Sequence, residues 1–130
     1  MVINKYDLGW ITAFMEFKGV FTVSRVKIKK KIKDGEKIYT YNNPVFYADS
    51  QSPVPLETAR KILKVGKITR NGAMYRLEVR RKEELFRLIE VLPEELAGPK
   101  GEKYMKWREL VLQWKSRGQG EGAVRAAEAF

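Results

Sequence analysis

The sequence predicts an α+β domain with one antiparallel four-stranded sheet and the element order αββαββαα. Two strand–turn–strand segments contain tight-turn dipeptides, and apolar residues recur at helical spacing before, between and after them. The length of 130 residues suits a single core. The domain is expected to span residues 1–117, and the Gly- and Ala-rich residues 118–130 are expected to form a flexible tail. No internal repeat is visible.

The first helix is expected over Leu8–Lys18. Asp7 immediately precedes this run and can act as its N-cap, because its carboxylate can accept a free backbone N–H of the first turn. Gly19 follows the last apolar turn and is expected to end the helix.

A long hairpin is expected next. Its strands are the alternating segments Gly19–Ile32 and Lys37–Ala48, and Asp34-Gly35 supplies the turn between them. In the first strand, Phe21 and Val23 fit one side of the alternation, whereas Val26 and Ile28 fit the other. A β-bulge near Ser24-Arg25 would place both pairs on the buried side, so we expect one there.

The second half repeats the order of helix and hairpin and then adds two helices. Ser52-Pro53-Val54-Pro55 stops the preceding strand, and Asn71-Gly72 is a strong hairpin-turn signal. The expected elements are a helix at Leu56–Val65, strands at Lys67–Arg70 and Met74–Arg80, and helices at Lys82–Leu92 and Lys103–Ser116.

Charge is unevenly distributed along the chain. Residues 1–82 hold 18 Lys/Arg and 7 Asp/Glu, a net charge of +11, whereas residues 83–130 hold 8 and 9, a net charge of −1. Positive charge concentrated in the strand-rich half favours a polyanionic partner bound with release of counterions. A generally basic, soluble surface remains the alternative interpretation.

The composition excludes several classes of site. The chain has no cysteine and no histidine, which excludes disulfides, thiolate or imidazole metal sites and a histidine general base. No apolar run approaches the length of a membrane span, and no signal-peptide pattern opens the sequence. We therefore expect an intracellular protein, cytoplasmic or nucleoid-associated, with no membrane partner.

Nine residues at the junction of the first helix and first strand are the most informative segment. Ile11-Thr12-Ala13-Phe14-Met15-Glu16-Phe17-Lys18-Gly19 has two apolar positions flanking small residues, an acid at its sixth position and a closing glycine. It resembles the nine-residue motif of the LAGLIDADG homing endonucleases, a family of DNA-cutting enzymes. The resemblance implies the family half-domain, whose four-stranded sheet is saddle-shaped.

The resemblance extends over roughly Leu8–Trp114. The glycine-terminated segment at residues 63–68, the strand and helix start at residues 75–85, and the later residues Pro93, Gly98-Pro99-Lys100, Tyr104 and Trp107 are similar to the corresponding parts of the family half-domain.

For a chain with one motif copy, the resemblance implies a homodimer whose motif helices pack side by side. The residues implied at that interface are Gly9, Thr12, Ala13 and Glu16. Phe17 departs from the pattern, because this position is normally Gly or Ala in the family. An ordinary buried helix is the alternative interpretation of the segment.

The resemblance further implies that alternate residues of the sheet lie in the major groove of double-stranded DNA. Arg, Asn and Glu can pair with guanine, adenine and cytosine respectively, and the lysine-rich first strand is assigned mainly to phosphates. An edge-protecting lysine run is the alternative for the hairpin tip. The candidate DNA-binding residues are Thr22, Ser24, Arg25, Lys27, Lys29, Tyr39, Tyr41, Asn43, Val45, Tyr47, Lys67, Thr69, Arg76, Glu78 and Arg80.

The candidate catalytic position is Lys18, which stands where the family has the Mg²⁺-binding carboxylate. An ammonium cannot ligate Mg²⁺ but can contact a phosphate directly. Glu16 is a weak substitute, because two residues along a helix rotate the side chain by about 200°. The resemblance therefore implies no metal cofactor for an inactive protein and Mg²⁺ for an active nuclease.

Three functions remain open from the sequence. The first is a homodimeric, sequence-specific DNA-binding protein with impaired or lost cleavage. The second is an active Mg²⁺-dependent homing endonuclease, and the third is an RNA-binding, maturase-like or intron-associated protein that uses the same sheet.

Overall fold

The computed structural model describes residues 3–117, so the expected tail at 118–130 lies outside the described residues. One antiparallel four-stranded sheet and four helices follow in the order αββαββαα, which confirms the predicted class. The elements are α1 (Lys5–Lys18), β1 (Gly19–Ile32), β2 (Gly35–Ser50), α2 (Pro53–Leu63), β3 (Lys67–Asn71), β4 (Met74–Val79), α3 (Lys82–Val91) and α4 (Gly101–Arg117).

The strands lie in the order β1-β2-β4-β3, so β1 and β3 are the edges of the sheet. β1 and β2 pair without interruption from Gly19↔Ala48 to Ile32↔Gly35. The predicted bulge near Ser24-Arg25 is therefore wrong. Val26 and Ile28 pair with Tyr41 and Tyr39, on the side of the hairpin opposite Phe21, so they lie outside the core and are 38% and 40% exposed.

Three helices begin earlier than predicted, and α4 does so by two residues, at Gly101. α1 is capped by Asn4, whose side-chain oxygen accepts the N–H of Asp7 at 2.8 Å, so Asp7 lies in the first turn and is not the cap. α2 begins at Pro53, after Ser52 accepts the N–H of Val54 at 3.3 Å. A proline fits the first helical position because its missing N–H would have no helical partner there.

The core lies on one face of the sheet, where the helices pack. Phe21, Phe46, Ala48, Leu77 and Val79 are the sheet's fully buried members of this core. α4 closes the core with two aromatic side chains that also satisfy their polar atoms, as buried Trp and Tyr require. The Trp107 indole N–H donates to Val45 O at 3.0 Å, and the Tyr104 hydroxyl donates to Pro93 O at 2.6 Å.

The opposite face of the sheet, here called the open face, contributes no residue to that core cluster. None of the helices within residues 3–117 combines the length and the apolar composition that a membrane crossing requires.

Candidate nucleic-acid interface and α1 face

The strand register brings most of the predicted DNA-binding residues onto the open face. Directly paired residues of antiparallel strands point to the same side, and Tyr47 pairs with Glu78, which pairs in turn with Lys67. The predicted residues that the register places on this face are Thr22, Ser24, Tyr39, Tyr41, Asn43, Val45, Tyr47, Lys67, Thr69, Arg76 and Glu78. Arg80 follows the end of β4 and joins them through its ion pair with Glu78.

Val45 is the member of this set that cannot act as predicted. It lies between Thr22 and the end of β4 and is only 3% exposed, so a bound molecule cannot reach its side chain directly. Its carbonyl oxygen holds Trp107 from the other side of the sheet. Val45 therefore forms part of the floor of the open face, and its predicted contact with DNA is corrected.

The three predicted phosphate-binding residues of β1 are separated from the others. Arg25, Lys27 and Lys29 pair with Asn42, Thr40 and Ile38, which point away from the open face. They lie on the reverse side of the hairpin, and the structure does not bring them together with the other predicted residues.

Two lysines near the hairpin tip occupy the open face in their place. Lys30 and Lys37 form a cross-strand pair, and their Nζ atoms lie 5.5 and 5.2 Å from the centre of the Tyr39 ring. Lys30 belongs to the lysine-rich first strand that the sequence assigns mainly to phosphates, whereas Lys37 was not selected, although strand alternation from Tyr39 would have placed it on this face.

The guanidinium of Arg76 is already engaged in the free protein. Its Nε and Nη2 donate to the Asp49 carboxylate at 2.7 and 3.0 Å, and its Cζ lies 4.0 Å from the centre of the Tyr47 ring. The hydrogen bond to Asp49 raises the pKa of Arg76 above its ordinary value. Arg80 likewise pairs with Glu78, at 2.7 Å. A base contacted by either arginine must compete with a carboxylate.

The end of α1 is held by a distant loop. Both carboxylate oxygens of Glu16 accept the backbone N–H of Gly98, at 3.0 and 3.1 Å. The Nζ of Lys100 donates to Gly19 O at 2.6 Å. Lys18, by contrast, is exposed. Lys100 was not among the predicted site residues, because nothing in the sequence shows that residue 100 folds back onto residue 19.

The charges around the end of α1 favour an anion over a metal cation. Burial lowers the pKa of Lys100, the nearby Lys18 lowers it further, and Glu16 partly opposes both effects. Mg²⁺ prefers oxygen ligands, usually carboxylates. Here both oxygens of Glu16 are already bonded to Gly98, and two ammonium groups lie close by. These residues do not fit a Mg²⁺ site, and residues 3–117 contain no cluster of three acidic side chains that could hold a metal ion.

A groove of about 900 Å³ runs along the outer side of α1. All four predicted interface residues line it, together with Leu8, Phe17 and the Ala97–Pro99 segment. A Cβ built on Gly9 meets nothing within 4 Å. Tyr6 and Phe17, one near each end of this helix face, are 80% and 83% exposed. Exposed apolar side chains that lie together on one face indicate an interaction surface, whereas those scattered singly do not.

No protein-family model and no curated protein matches the chain. Solved structures do. The archaeal intron-encoded homing endonuclease I-Vdi141I, complexed with DNA, aligns with a TM-score of 0.71 and 23% identity over 95% of this chain and 81% of its own. The homing endonuclease I-TnaI aligns with a TM-score of 0.75 and 21% identity over 99% and 89% of the respective chains.

A larger protein matches over part of its length. The LAGLIDADG meganuclease I-AabMI, bound to uncleaved DNA, aligns with a TM-score of 0.70 and 20% identity over 96% of this chain but 42% of its own. These likenesses show that the chain has the fold of a LAGLIDADG homing endonuclease half-domain.

Proposed function

We propose that this protein is a sequence-specific double-stranded DNA-binding protein that acts as a homodimer and has impaired or lost DNA cleavage. The observation that supports this most strongly is the open face. On this face the strand register aligns hydroxyl, amide, carboxylate and guanidinium groups from all four strands, and the helices pack on the other face.

The open face has the chemistry that major-groove reading requires. Asn43 can pair with adenine, Arg76 and Arg80 with guanine, and Glu78 can accept from cytosine. Lys30, Lys37 and Lys67 supply positive charge at the two ends of this face, where phosphates can neutralise it. I-Vdi141I and I-AabMI, whose structures share this fold, are bound to DNA, which supports the same partner here.

The groove along α1 supports the homodimer. A glycine inside a helix costs about 1 kcal/mol relative to alanine, and nothing within residues 3–117 approaches Gly9 closely enough to require one. Gly9 and Ala13 lie four residues apart, so small side chains line one side of the helix and allow a second helix to approach closely. A second copy of α1 would also cover Phe17 and Tyr6.

The residues at the end of α1 support lost cleavage. Hydrolysis of a phosphodiester with a metal ion needs carboxylate ligands and an activated water. The exposed Lys18 and the nearby Lys100 instead present two ammonium groups to the region where the phosphate would lie, while Glu16 is committed to Gly98. These groups can neutralise a phosphate but cannot generate the nucleophile.

Selection of binding sites from a random duplex library tests this proposal. We expect an enriched sequence with twofold symmetry, bound by a dimer, and no cleavage of that sequence in Mg²⁺ or Mn²⁺. Efficient cleavage would instead support an active nuclease. Stronger binding to structured RNA than to the selected duplex would support the maturase-like function. Failure to enrich any sequence would contradict specific recognition.

A further inference from the structure

The outer half of the β1–β2 hairpin, residues 25–41, is here called the arm. β1 changes from partly buried to exposed at Arg25, and β2 is largely exposed up to Tyr41, so the arm extends past the helices with both faces accessible. The arm contains seven Lys/Arg and two Asp/Glu, a net charge of +5, which is half of the +10 of the whole chain. The arm therefore carries more positive charge than Lys30 and Lys37, its two lysines on the open face, account for.

Four of these cations form a row on the reverse of the arm. Arg25, Lys27, Lys29 and Lys31 alternate along β1 and all point away from the open face, and this set is here called the back row. Successive members are separated by about 6.8 Å along the strand. The sole acid opposite them is Glu36, which pairs with Lys31 near the tip.

None of the back-row side chains forms an ion pair within residues 3–117, so Glu36, opposite Lys31, offsets the charge of the row only in part. Four like charges on neighbouring positions of one strand face repel one another, so a bound polyanion would relieve the repulsion. This is charge complementarity to a phosphate backbone.

The composition of this face favours a duplex over a single strand. Proteins that bind single-stranded nucleic acids stack bases on aromatic side chains. Both tyrosines of the arm, Tyr39 and Tyr41, point to the open face, and the residues paired with the back row are Asn42, Thr40, Ile38 and Glu36. The reverse face thus offers charge without a stacking platform, which suits the outside of a double helix.

We propose that the back row binds a second segment of duplex DNA, so that one molecule holds two duplexes, one on each side of the arm. The two faces of a two-stranded ribbon point in opposite directions. A duplex seated on the open face therefore leaves the back row accessible. Binding of the first duplex to the open face rests on the proposed function, whereas binding of the second duplex rests on the charges of the four back-row residues.

A two-duplex capture experiment tests this proposal. The selected target duplex is immobilised, protein is bound, and a fluorescent duplex of unrelated sequence is added over a range of salt concentrations. The test variant R25Q/K27Q/K29Q/K31Q is compared with an open-face variant that loses the same charge, K30Q/K37Q/K67Q/R80Q. All eight positions are exposed, so both variants should fold, which circular dichroism and thermal unfolding check.

Wild-type protein is expected to retain the fluorescent duplex on the immobilised one. Each phosphate contact contributes about 0.9 to the slope of log affinity against log salt, so four contacts give a slope of up to about 3.6 for the second duplex. The back-row variant should lose this retention at least about tenfold and keep its affinity for the immobilised target. The open-face variant should instead lose the immobilised target.

Three outcomes would overturn the proposal. If wild-type protein retains no second duplex and the back-row variant has a lower affinity for the immobilised target, the back row contacts phosphates of the immobilised duplex itself. Capture of double-stranded RNA in preference to DNA would assign the row to another partner. If wild type and the back-row variant retain the fluorescent duplex equally, the back row does not contact a duplex. Failure of the proposed function looks different, because the open-face variant would then bind the immobilised target as tightly as wild type.

Discussion

Glu16 and Gly98 are joined by a bifurcated hydrogen bond in which both carboxylate oxygens accept one backbone N–H, at 3.0 and 3.1 Å. The two residues are 82 positions apart. This contact fixes the loop between α3 and α4 against the end of α1, beside the groove and beside Lys18. Glu16, the acid of the motif-like segment, therefore stabilises the tertiary structure, and Lys18 is the exposed charged group at that end of the helix.

Gly98→Ala is expected to destabilise the protein by about 1–3 kcal/mol, because a Cβ at this position would collide with the Glu16 carboxylate. Urea unfolding of the two proteins measures the change. Gly9→Ala is the control for an added methyl without a collision: it meets nothing within 4 Å in residues 3–117, so it should not destabilise the monomer. Adding Glu16→Ala to Gly98→Ala should recover part of the loss, because the collision disappears with the carboxylate. Full additivity of the two substitutions would show that the residues do not interact.

Gly9→Ala is also expected to separate monomer stability from dimer affinity. Alanine stabilises a helix interior by up to about 1 kcal/mol over glycine, so the monomer should resist urea better. The same methyl would obstruct a second α1 helix, so the dimer should dissociate at higher protein concentration in sedimentation equilibrium. Met105→Ala, on the exposed side of α4, should leave the dimer unchanged. A Gly9→Ala dimer as tight as wild type would remove this helix face from the interface.

Stability should fall at alkaline pH through Tyr104. Burial raises the pKa of its hydroxyl from 10.0 to about 12, and Arg108 offsets only part of this rise. Because the folded pKa lies above the unfolded one, the contribution is fully present below pH 10 and is lost as pH rises towards 12. A shift of about two pH units corresponds to ~3 kcal/mol.

Tyr104→Phe should remove most of that alkaline loss, at the expense of about 1 kcal/mol near neutral pH for the hydrogen bond to Pro93. Unfolding in urea at several pH values from neutral to 12 provides the measurement. The exposed Tyr6, replaced by Phe in the same way, should change neither quantity. An unchanged alkaline profile in Tyr104→Phe would assign the loss to other groups.

Arg76 is expected to contact a base only after its ion pair with Asp49 is broken. Asp49→Asn removes the competing carboxylate and should raise affinity for the selected duplex, whereas Arg76→Ala should relax base preference at one position by about 1–3 kcal/mol. Lys67→Ala should instead weaken all sequences equally and lower the salt slope by about 1. Equal losses on every sequence for Arg76→Ala would remove base reading from this part of the open face.

Lys18→Glu is expected to gain Mg²⁺-dependent cleavage of the selected duplex, because it supplies the carboxylate that the resemblance places at this position. Lys18→Gln is the control, since it removes the positive charge without adding a strong metal ligand. Cleavage is measured on supercoiled plasmid carrying the selected site. If Lys18→Glu binds the site and still does not cut it, the ammonium at position 18 is not the reason for inactivity.

The predicted order of elements and both hairpins were confirmed, whereas the predicted Asp7 cap and the bulge near Ser24-Arg25, which also rested on local patterns, were wrong. The order of helices and strands, both hairpins and the alternation that puts Tyr47 with Arg76 and Glu78 on one face follow from periodicity and turn chemistry, which act over a few residues. The same alternation, applied strictly, would have separated Lys29 from Tyr39. The sequence prediction selected the basic residues of β1 by charge and did not consider which face of the hairpin each one occupies.

The sequence by itself determined the fold class and the faces of the strands, because each side chain's direction is set by its immediate neighbours. Only the tertiary structure decided that Val45 is buried and that Val26 and Ile28 are accommodated without a bulge. It also decided that Glu16 accepts the N–H of Gly98 and that Lys100 donates to the carbonyl of Gly19. Burial on the open face depends on how closely neighbouring strands and side chains pack around each position, and the Glu16–Gly98 contact depends on how the chain returns after 82 residues. Neither quantity is encoded in a local pattern.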